Sequence, residues 1–554
     1  VAVKIKTLIV TAMPTNIVEK IFYLIKLRHS LIAIESPQQE RSRFIKELCD
    51  VAISLNKKIF LWTFETDQLH QVVKDQDQGF YLQKLPWHRS IVNKTKPIDY
   101  FEILNFWKNT EQRGILILEG ILPWISPHTD PNHMLTSEWI KSALRNFNLF
   151  NRDSDNCCIL LGTDATLSSD ITAEIPTVIQ ELPDIKEIAN FLKKELMYFN
   201  FTSAQIYEIA NASVGMYLAD IEYGLIKHQV DRAPQLAKSL FDYKIDLLKK
   251  VYNVDFLPPA TVEIGGLELM QKAISVYKRF YTPLAEMYRI KPMKGILLVG
   301  PPGTGKSHSA KACSQNLGFP LIIIEWGIFR SYGHMAEQNL KKLLRLIDRL
   351  NRVIVYFDDF DKGFAGDDDL SKRLAGMLLT WMQERTSEAL VVASANNLDL
   401  LPPEITRCGR FDEIFKVDLP NNGERYEIFR IHLARFDQRF CKGSVYSKTE
   451  WNEILKLSNR CVGAEIQSIV ERAAGIAFNE LFPNDETTFA PFVSMPNLEI
   501  SPANIKEARN AINPLAVREA NRIERLRNKA DLQGLPSSPE DNSIFSNENV
   551  SIFS

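Results

Sequence analysis

The sequence has no C-x-x-C pair and no cysteine and histidine spacing of the zinc type; its seven cysteines stand at 49, 157, 158, 313, 408, 441 and 461. Zinc ribbons and small disulfide frameworks are thereby excluded. Buried thiols in a reducing compartment are the expectation, with Cys157 and Cys158 pointing to opposite faces of a strand. Long apolar runs are also missing. Gly114 to Ile125 is interrupted by Glu119 and falls short of the roughly 20 residues of a membrane-spanning helix, so no span is expected. Neither sign of charge is in excess: 66 Lys and Arg face 68 Asp and Glu, and no overall field draws the chain to nucleic acid or anionic lipid. The opening VAVKIKTLIV lacks the parts of a secretory signal.

What is present is enough apolar sequence, 45 % of 554 residues, to bury cores along most of the chain, and the length predicts three or four domains. Short apolar runs alternate with amphipathic stretches at Leu31 to Glu35, Ile59 to Phe64, Ile115 to Glu119, Cys157 to Gly162 and Thr177 to Leu182. Glu40 to Asn56 carries Phe44, Leu48, Val51 and Leu55 at helical spacing, as a crossover between parallel strands requires. Five more runs follow at Gly295 to Val299, Leu321 to Glu325, Val353 to Phe357, Leu390 to Ala393 and Ile414 to Val417. Each half therefore reads as a parallel α/β sheet followed by a mainly helical stretch, Asp184 to Tyr252 and Asn422 to about Ile512. The Pro- and Gly-rich segment Val254 to Gly266 is the expected boundary, and the polar tail after Pro536 is expected to be disordered.

Directly after the run Gly295 to Val299 stands Gly300-Pro301-Pro302-Gly303-Thr304-Gly305-Lys306-Ser307, which fits G-x-x-x-x-G-K-[ST], and a helical pattern begins behind it. Strand, loop and helix in that order make a phosphate-binding loop. Its backbone N–H groups and helix N-terminus suit phosphate, Lys306 neutralises the β and γ charges, and Ser307 offers a hydroxyl to Mg²⁺. The run Val353 to Phe357 ends in Asp358-Asp359. Asp358 is placed to hold the metal through water, and Asp359 to polarise the attacking water. The plainer reading makes these acids strand caps within a solvated acidic loop that includes Asp361 and Asp367 to Asp369. The expected cofactors are ATP and Mg²⁺.

The segments GILLVGPPGTGKS, VIVYFDDFDKGF, VVASANNLDLLPPEITRCGRFDEIF, RYEIFRIHL and CVGAEIQSIVERAAGIAF resemble successive motifs of AAA ATPases. The wording LLPPEI-x-R-x-GRFDEIF, together with LTWMQERTS and INPLA, is similar to the AAA family of red-algal plastids and cyanobacteria known as a hypothetical chloroplast reading frame. The likeness runs from about Ile264 to Ala530 and is fainter before it. It implies that Asn396 senses the γ-phosphate. Arg407 and Arg410 would act in trans as arginine fingers, and Ile264, Gly265, His432, Gly463 and Ala464 would enclose adenine. It also implies a P-loop AAA core at 254–420 with a helical lid at 421–512. Two departures stand out: Asp359 where the family has Glu, and Ser331-Tyr332-Gly333 where remodelling ATPases present an aromatic pore motif in another order.

In the first half the loop after the first run is Ser36-Pro37-Gln38-Gln39-Glu40-Arg41-Ser42-Arg43, without glycine or lysine, so no phosphate cradle can form there. Residues 1–183 read as a degenerate P-loop-like α/β domain used for assembly or partner binding, with an unrelated α/β domain as the alternative. A helical segment follows at 184–253, and 513–554 reads as a basic helix with a disordered tail. His128 and His133 lack the spacing of further metal ligands. Asn528-Lys529-Ala530-Asp531 spells the guanine-recognition string N-K-x-D, but it lies beyond the lid rather than after a core strand.

Three functions remain open. The leading one is an ATP-hydrolysing AAA protein forming head-to-tail rings, hexameric by resemblance, that remodels or regulates an unknown protein client. The second is a slowly turning nucleotide-switched scaffold, motivated by Asp359. The third is a nucleic-acid motor or loader, resting on Arg518 to Arg527, where interspersed glutamates favour a solvated helix face; nucleic acid is not the expected partner. The resemblance implies a cyanobacterial cytoplasm or a chloroplast stroma and a link to photosynthetic metabolism.

Overall fold

Short runs that are apolar on both faces build two sheets, one in each of two compact units, Val1–Leu240 and Phe241–Ser554. The computed structural model describes residues 16–63, 68–75, 79–86, 98–127, 131–151, 156–227, 232–259, 261, 263–326, 331–364, 369–402, 405, 410–482 and 497–546.

In the first unit the strands are β1 (Leu31–Glu35), β2 (Lys58–Thr63), β3 (Gln68–Asp75), β4 (Gly79–Leu85), β5 (Gly114–Glu119), β6 (Cys157–Gly162) and β7 (Thr177–Ile179). Their order is β4-β3-β2-β5-β6-β1-β7. The five runs expected from the sequence are the parallel strands β2, β5, β6, β1 and β7. Successive residues of β1 enter different cores: Leu31 and Ala33 pack with Trp62 and Trp107, Ile32 and Ile34 with Phe44 and Leu48. Burial on both faces is what a parallel sheet between helices demands. Helices Ile185–Glu195, Ser203–Ser213, Leu218–Lys227 and Ala233–Tyr252 follow. The hairpin of β3 and β4 extends the sheet antiparallel along β2, an addition absent from the sequence reading.

The second unit contains β8 (Asp255–Leu257), β9 (Gly295–Val299), β10 (Leu321–Glu325), β11 (Ile354–Asp358), β12 (Leu390–Ala395), β13 (Glu413–Lys416) and β14 (Leu535–Pro536). Their order is β14-β13-β9-β12-β11-β10-β8. Numbering only the five expected strands of each unit in chain order, both sheets read 2-3-4-1-5. The chain thus repeats one sheet topology, a P-loop α/β core in the second unit and its counterpart in the first. Helices Asn422–Leu433, Lys448–Leu457, Gly463–Leu481 and Pro502–Asn510 form the lid around Phe429, Trp451, Ile466 and Ile469.

Two boundaries differ from expectation. The division falls at Leu240 and Phe241, inside helix Ala233–Tyr252, not in the Pro- and Gly-rich segment. Val254 and Phe256 are buried, and their alternation with exposed Asp255 makes β8 an edge strand antiparallel to β10. Residues 535–546 of the tail have a defined place: Leu535 and Pro536 pair with β13, and Phe545 is buried in the lid core. A single apolar anchor and several polar contacts hold a segment with no periodicity of its own. Of the six described cysteines all are free, and only Cys441 is exposed. Among the described residues no helix is long and apolar enough to cross a membrane.

Candidate functional site

Strand β9 is buried along its whole length and delivers Gly300 against β13. A Cβ there would lie 2.0 Å from the Val417 carbonyl oxygen, so only glycine lets the chain pass. The loop closes at Gly305, whose φ of +100° is costly for any other residue, and helix Lys306–Leu317 begins at once. Lys306 is buried at 7 % exposure. Its ammonium donates to the carbonyls of Gly300 at 2.9 Å and Pro301 at 2.8 Å and to Asn396 Oδ1 at 2.8 Å. Burial pulls its pKa down to about 8, against the opposing fields of Asp359, Asp361 and Asp358. These three acceptors fix the ammonium beside the loop.

Asp358 ends β11. Its Oδ1 accepts from the Tyr356 hydroxyl at 2.9 Å, the Ser394 hydroxyl at 2.9 Å and the Asp359 N–H at 3.0 Å. The Tyr356 oxygen also lies 3.3 Å from Ser307 Oγ, so the phenol joins the loop hydroxyl to the strand-end acid. Burial raises the Tyr356 pKa and keeps it a neutral donor. Two hard oxygen groups linked in this way suit Mg²⁺, which binds few side chains and fills the rest of its shell with water and phosphate. No group of three His, Cys, Asp or Glu able to hold a metal occurs among the described residues.

Asp359 sits at φ +47°, in the left-handed region. Its Oδ1 accepts from Asn396 Nδ2 at 2.8 Å, and its Oδ2 pairs with Lys362. Asn396 therefore joins Lys306 to Asp359. Asp361 departs from the solvated acidic loop of the plainer reading: it is buried at 3 % exposure and accepts from the Asn397 N–H at 2.9 Å. Trp326, Phe357, Phe360 and Phe364 pack edge-on or stacked beside this turn.

A cavity of about 320 Å³ lies between loop and lid. Pro302 through Ser307, Asp358, Asp359 and Asn396 line it from the core, together with Ile264 and Gly265, and His432, Gly463 and Ala464 line it from the lid. Gly300 and Pro301 contribute the carbonyls that hold Lys306 rather than the wall. The lid helix Gly463–Leu481 meets the loop where the Ala464 N–H donates to the Gly303 carbonyl at 3.3 Å. His432 Nδ1 is buried with no partner among the described residues. Burial first, then Arg435 and His308, lowers its pKa to about 4, so the ring is neutral near pH 7. A neutral, unpartnered ring nitrogen suits an uncharged heteroaromatic base.

Sequence reading missed His308, Ile428, Ile431 and Arg435 in this wall. Ile428 stands one helical turn before His432, a spacing that could have found it, whereas Ile431 is the sequence neighbour of His432 and Arg435 lies past the helix end. Arg410 does not line the cavity, and Arg407 lies outside the described residues. So do His128, the His133 side chain, Asp367 and Asp368. Tyr332 precedes the turn Gly333–Met335. The N-K-x-D string lies in helix Ala520–Gln533, with Lys529 paired to Asp399 and Asp531 to Lys416. In the first unit the helix after β1, Arg41–Ser54, opens with Arg41, which pairs with Glu119 at the end of β5, as Lys306 opens the helix after β9.

Residues 296–419 match the family described as ATPase family associated with various cellular activities (AAA). The chain is 27 % identical over 517 residues to the uncharacterized AAA domain-containing protein ycf46 of Guillardia theta, covering 91 % of this chain and 92 % of that one. Its counterpart from Pyropia yezoensis is 25 % identical, covering 92 % and 97 %. The proteasome-activating nucleotidase of Methanocaldococcus jannaschii is 30 % identical over 43 % of this chain and 56 % of its own. The phosphate loop, the paired strand-end acids and the lid thus lie in and beside an AAA domain, and the chain that carries it is similar to the ycf46 AAA proteins along nine-tenths of its length.

Proposed function

We propose that the second unit binds ATP with Mg²⁺ in the cavity between Lys306 and His432 and hydrolyses it. The observation that carries this reading is the linked set Lys306, Asn396 and Asp359 facing the Ser307, Tyr356 and Asp358 chain. A fixed cation, an amide donor and a carboxylate base then converge where a terminal phosphate and its attacking water would lie. Mg²⁺ supplies Lewis-acid neutralisation of the phosphate charge, and Ser307 and Asp358 are the residues that would hold it. Arg407 and Arg410 act on the site of a neighbouring copy in a head-to-tail ring, and the cycle drives remodelling or regulation of a protein client. The first unit, built on the same strand order without a cradle, serves assembly or client binding. We place the protein in a plastid stroma or a cyanobacterial cytoplasm, the former being where the likeness to the algal ycf46 proteins points, and assign it a role in photosynthetic metabolism on the sequence resemblance alone. Steady-state phosphate release by the wild-type chain, lost in Lys306→Ala, tests the enzymatic core; turnover unaffected by that change would refute it.

One observation favours a second reading. The Asp359 carboxylate is engaged on both oxygens, by Asn396 and by Lys362, and is one methylene shorter than Glu. A slow, nucleotide-switched scaffold would follow if that engagement persists with ATP bound.

A further inference from the structure

The nucleotide cavity has two walls on different parts of the second unit, the segment from Ile264 to Leu267 on the core side and Ile428 with His432 on the lid side. Residues 417–421, between β13 and helix Asn422–Leu433, connect them. The segment 535–546 spans this connection and is bonded on both sides of it. On the core side Leu535 and Pro536 pair with Phe415 and Lys416. The Ser537 carbonyl accepts from the N–H groups of Leu269 and Met270, both at 3.1 Å. Those donors open helix Glu268–Tyr277, whose N-cap Leu267 sits at φ +60° and offers no side-chain cap. Ser538 Oγ accepts from the Leu267 N–H at 3.3 Å and also bonds to Glu424 of the lid helix.

On the lid side Asp541 Oδ2 accepts from the Asn422 N–H at 3.1 Å, and the Phe545 carbonyl accepts from Asn422 Nδ2 at 2.8 Å. The Phe545 ring packs 4.9 Å from that of Tyr426, inside the lid core. Gly423 is required beneath it, because a Cβ there would lie 2.8 Å from Ser543 Cβ.

We infer that residues 535–546 form a strap that ties the lid to the core beside the nucleotide cavity and so sets how fast bound nucleotide leaves. Leu267 is at once a wall residue and a strap partner, which makes Ser537 and Ser538 positioning residues for the base-enclosing segment. This rests on the nucleotide reading of the cavity. Each hydrogen bond to the strap contributes modestly by itself, but losing several together with the Phe545 anchor is on the order of a tenfold change or more.

Release of fluorescent ADP, chased with excess unlabelled ADP, tests the strap in four full-length or near full-length forms: wild type, a chain ending at Gly534, Ser538→Ala and Gly423→Ala. The truncated chain is expected to release ADP about tenfold faster with an association rate within about twofold of wild type. The two substitutions should give smaller accelerations in the same direction. Adding the peptide LPSSPEDNSIFS in trans should slow release from the truncated chain again. Equal release rates in all four forms, or a fall in melting temperature alone, would overturn the strap while leaving nucleotide binding intact. A wild-type chain that binds no ADP would overturn both. Should the truncated chain fail to fold, the release rates of Ser538→Ala and Gly423→Ala decide the matter.

Discussion

The side-chain amide of Asn396 donates to Asp359 at 2.8 Å, tying the end of β12 to the acid that follows β11. Its oxygen accepts from Lys306, so one amide orients both a carboxylate and an ammonium. The two bonds hold the three side chains as one linked group at the cavity wall.

Lengthening the acid in Asp359→Glu should raise kcat by about tenfold, because a carboxylate displaced by about 1 Å can cost on the order of 100-fold. ATP affinity should change little, since the gain belongs to the transition state. Asp359→Asn should abolish turnover. Steady-state kinetics on the three forms checks this. Lower turnover in the Glu variant would mean that the left-handed backbone at this position has adjusted to the shorter side chain.

Each chain should bind one nucleotide. In the first unit the loop after β1 holds Glu40 at 1 % exposure, with its carboxylate accepting from the Ala219 N–H at 2.6 Å and from Gln180 Nε2 at 3.2 Å. Burial raises its pKa, and the side chain fills the loop where a phosphate would need room. Calorimetric titration with a nonhydrolysable ATP analogue should give one site, and none in a variant that lacks the second unit's loop lysine, Lys306→Ala. Two sites in the wild type would contradict this.

Strands such as β1, β5, β9 and β12 were legible because both faces of each are buried almost throughout, which writes continuous apolar runs into the sequence. The phosphate loop was legible for a different reason: its glycines answer to backbone geometry, and few sequences satisfy it by chance. β3 and β4 were not legible, since their exposed outer residues dilute the alternation. Nor was Tyr356, which reads as one more apolar strand residue until its hydroxyl is seen between Ser307 and Asp358. The strap escaped because each of its contacts lies more than a hundred residues away in sequence.

His432 should make the second unit acid-sensitive. Its pKa is about 4 in the folded chain and near 6.5 unfolded, so the unfolded state binds the extra proton between those values. The resulting stability is complete above about pH 6.5 and is lost as pH falls towards 4. Arg435 and His308 face the ring as cations or potential cations and add to the effect, while Glu471 opposes it. His432→Gln should therefore lose less melting temperature than wild type between pH 7 and pH 5, by roughly one to three degrees. Parallel thermal melts at the two pH values check this. Identical losses would show that the ring is not held neutral.

The last expectation concerns assembly. Arg410 does not line the cavity of its own chain, whereas a cation at the transferring phosphate is often worth on the order of 10³-fold in rate. If the finger is supplied by a neighbour, Arg410→Ala and Lys306→Ala should each be nearly inactive, for different reasons: one lacks the donated cation, the other the cradle. Mixed together they should regain part of the activity, because an Arg410→Ala subunit keeps an intact loop and can receive Arg410 from a Lys306→Ala neighbour. Contacts of that kind are heterologous and close into rings by rotation, so recovery should rise with protein concentration and with ATP. Phosphate release from the mixture, measured over a range of concentrations beside size-exclusion profiles, is the test. A mixture that stays inactive, together with turnover per chain that does not change on dilution to monomer, would mean that each site works alone.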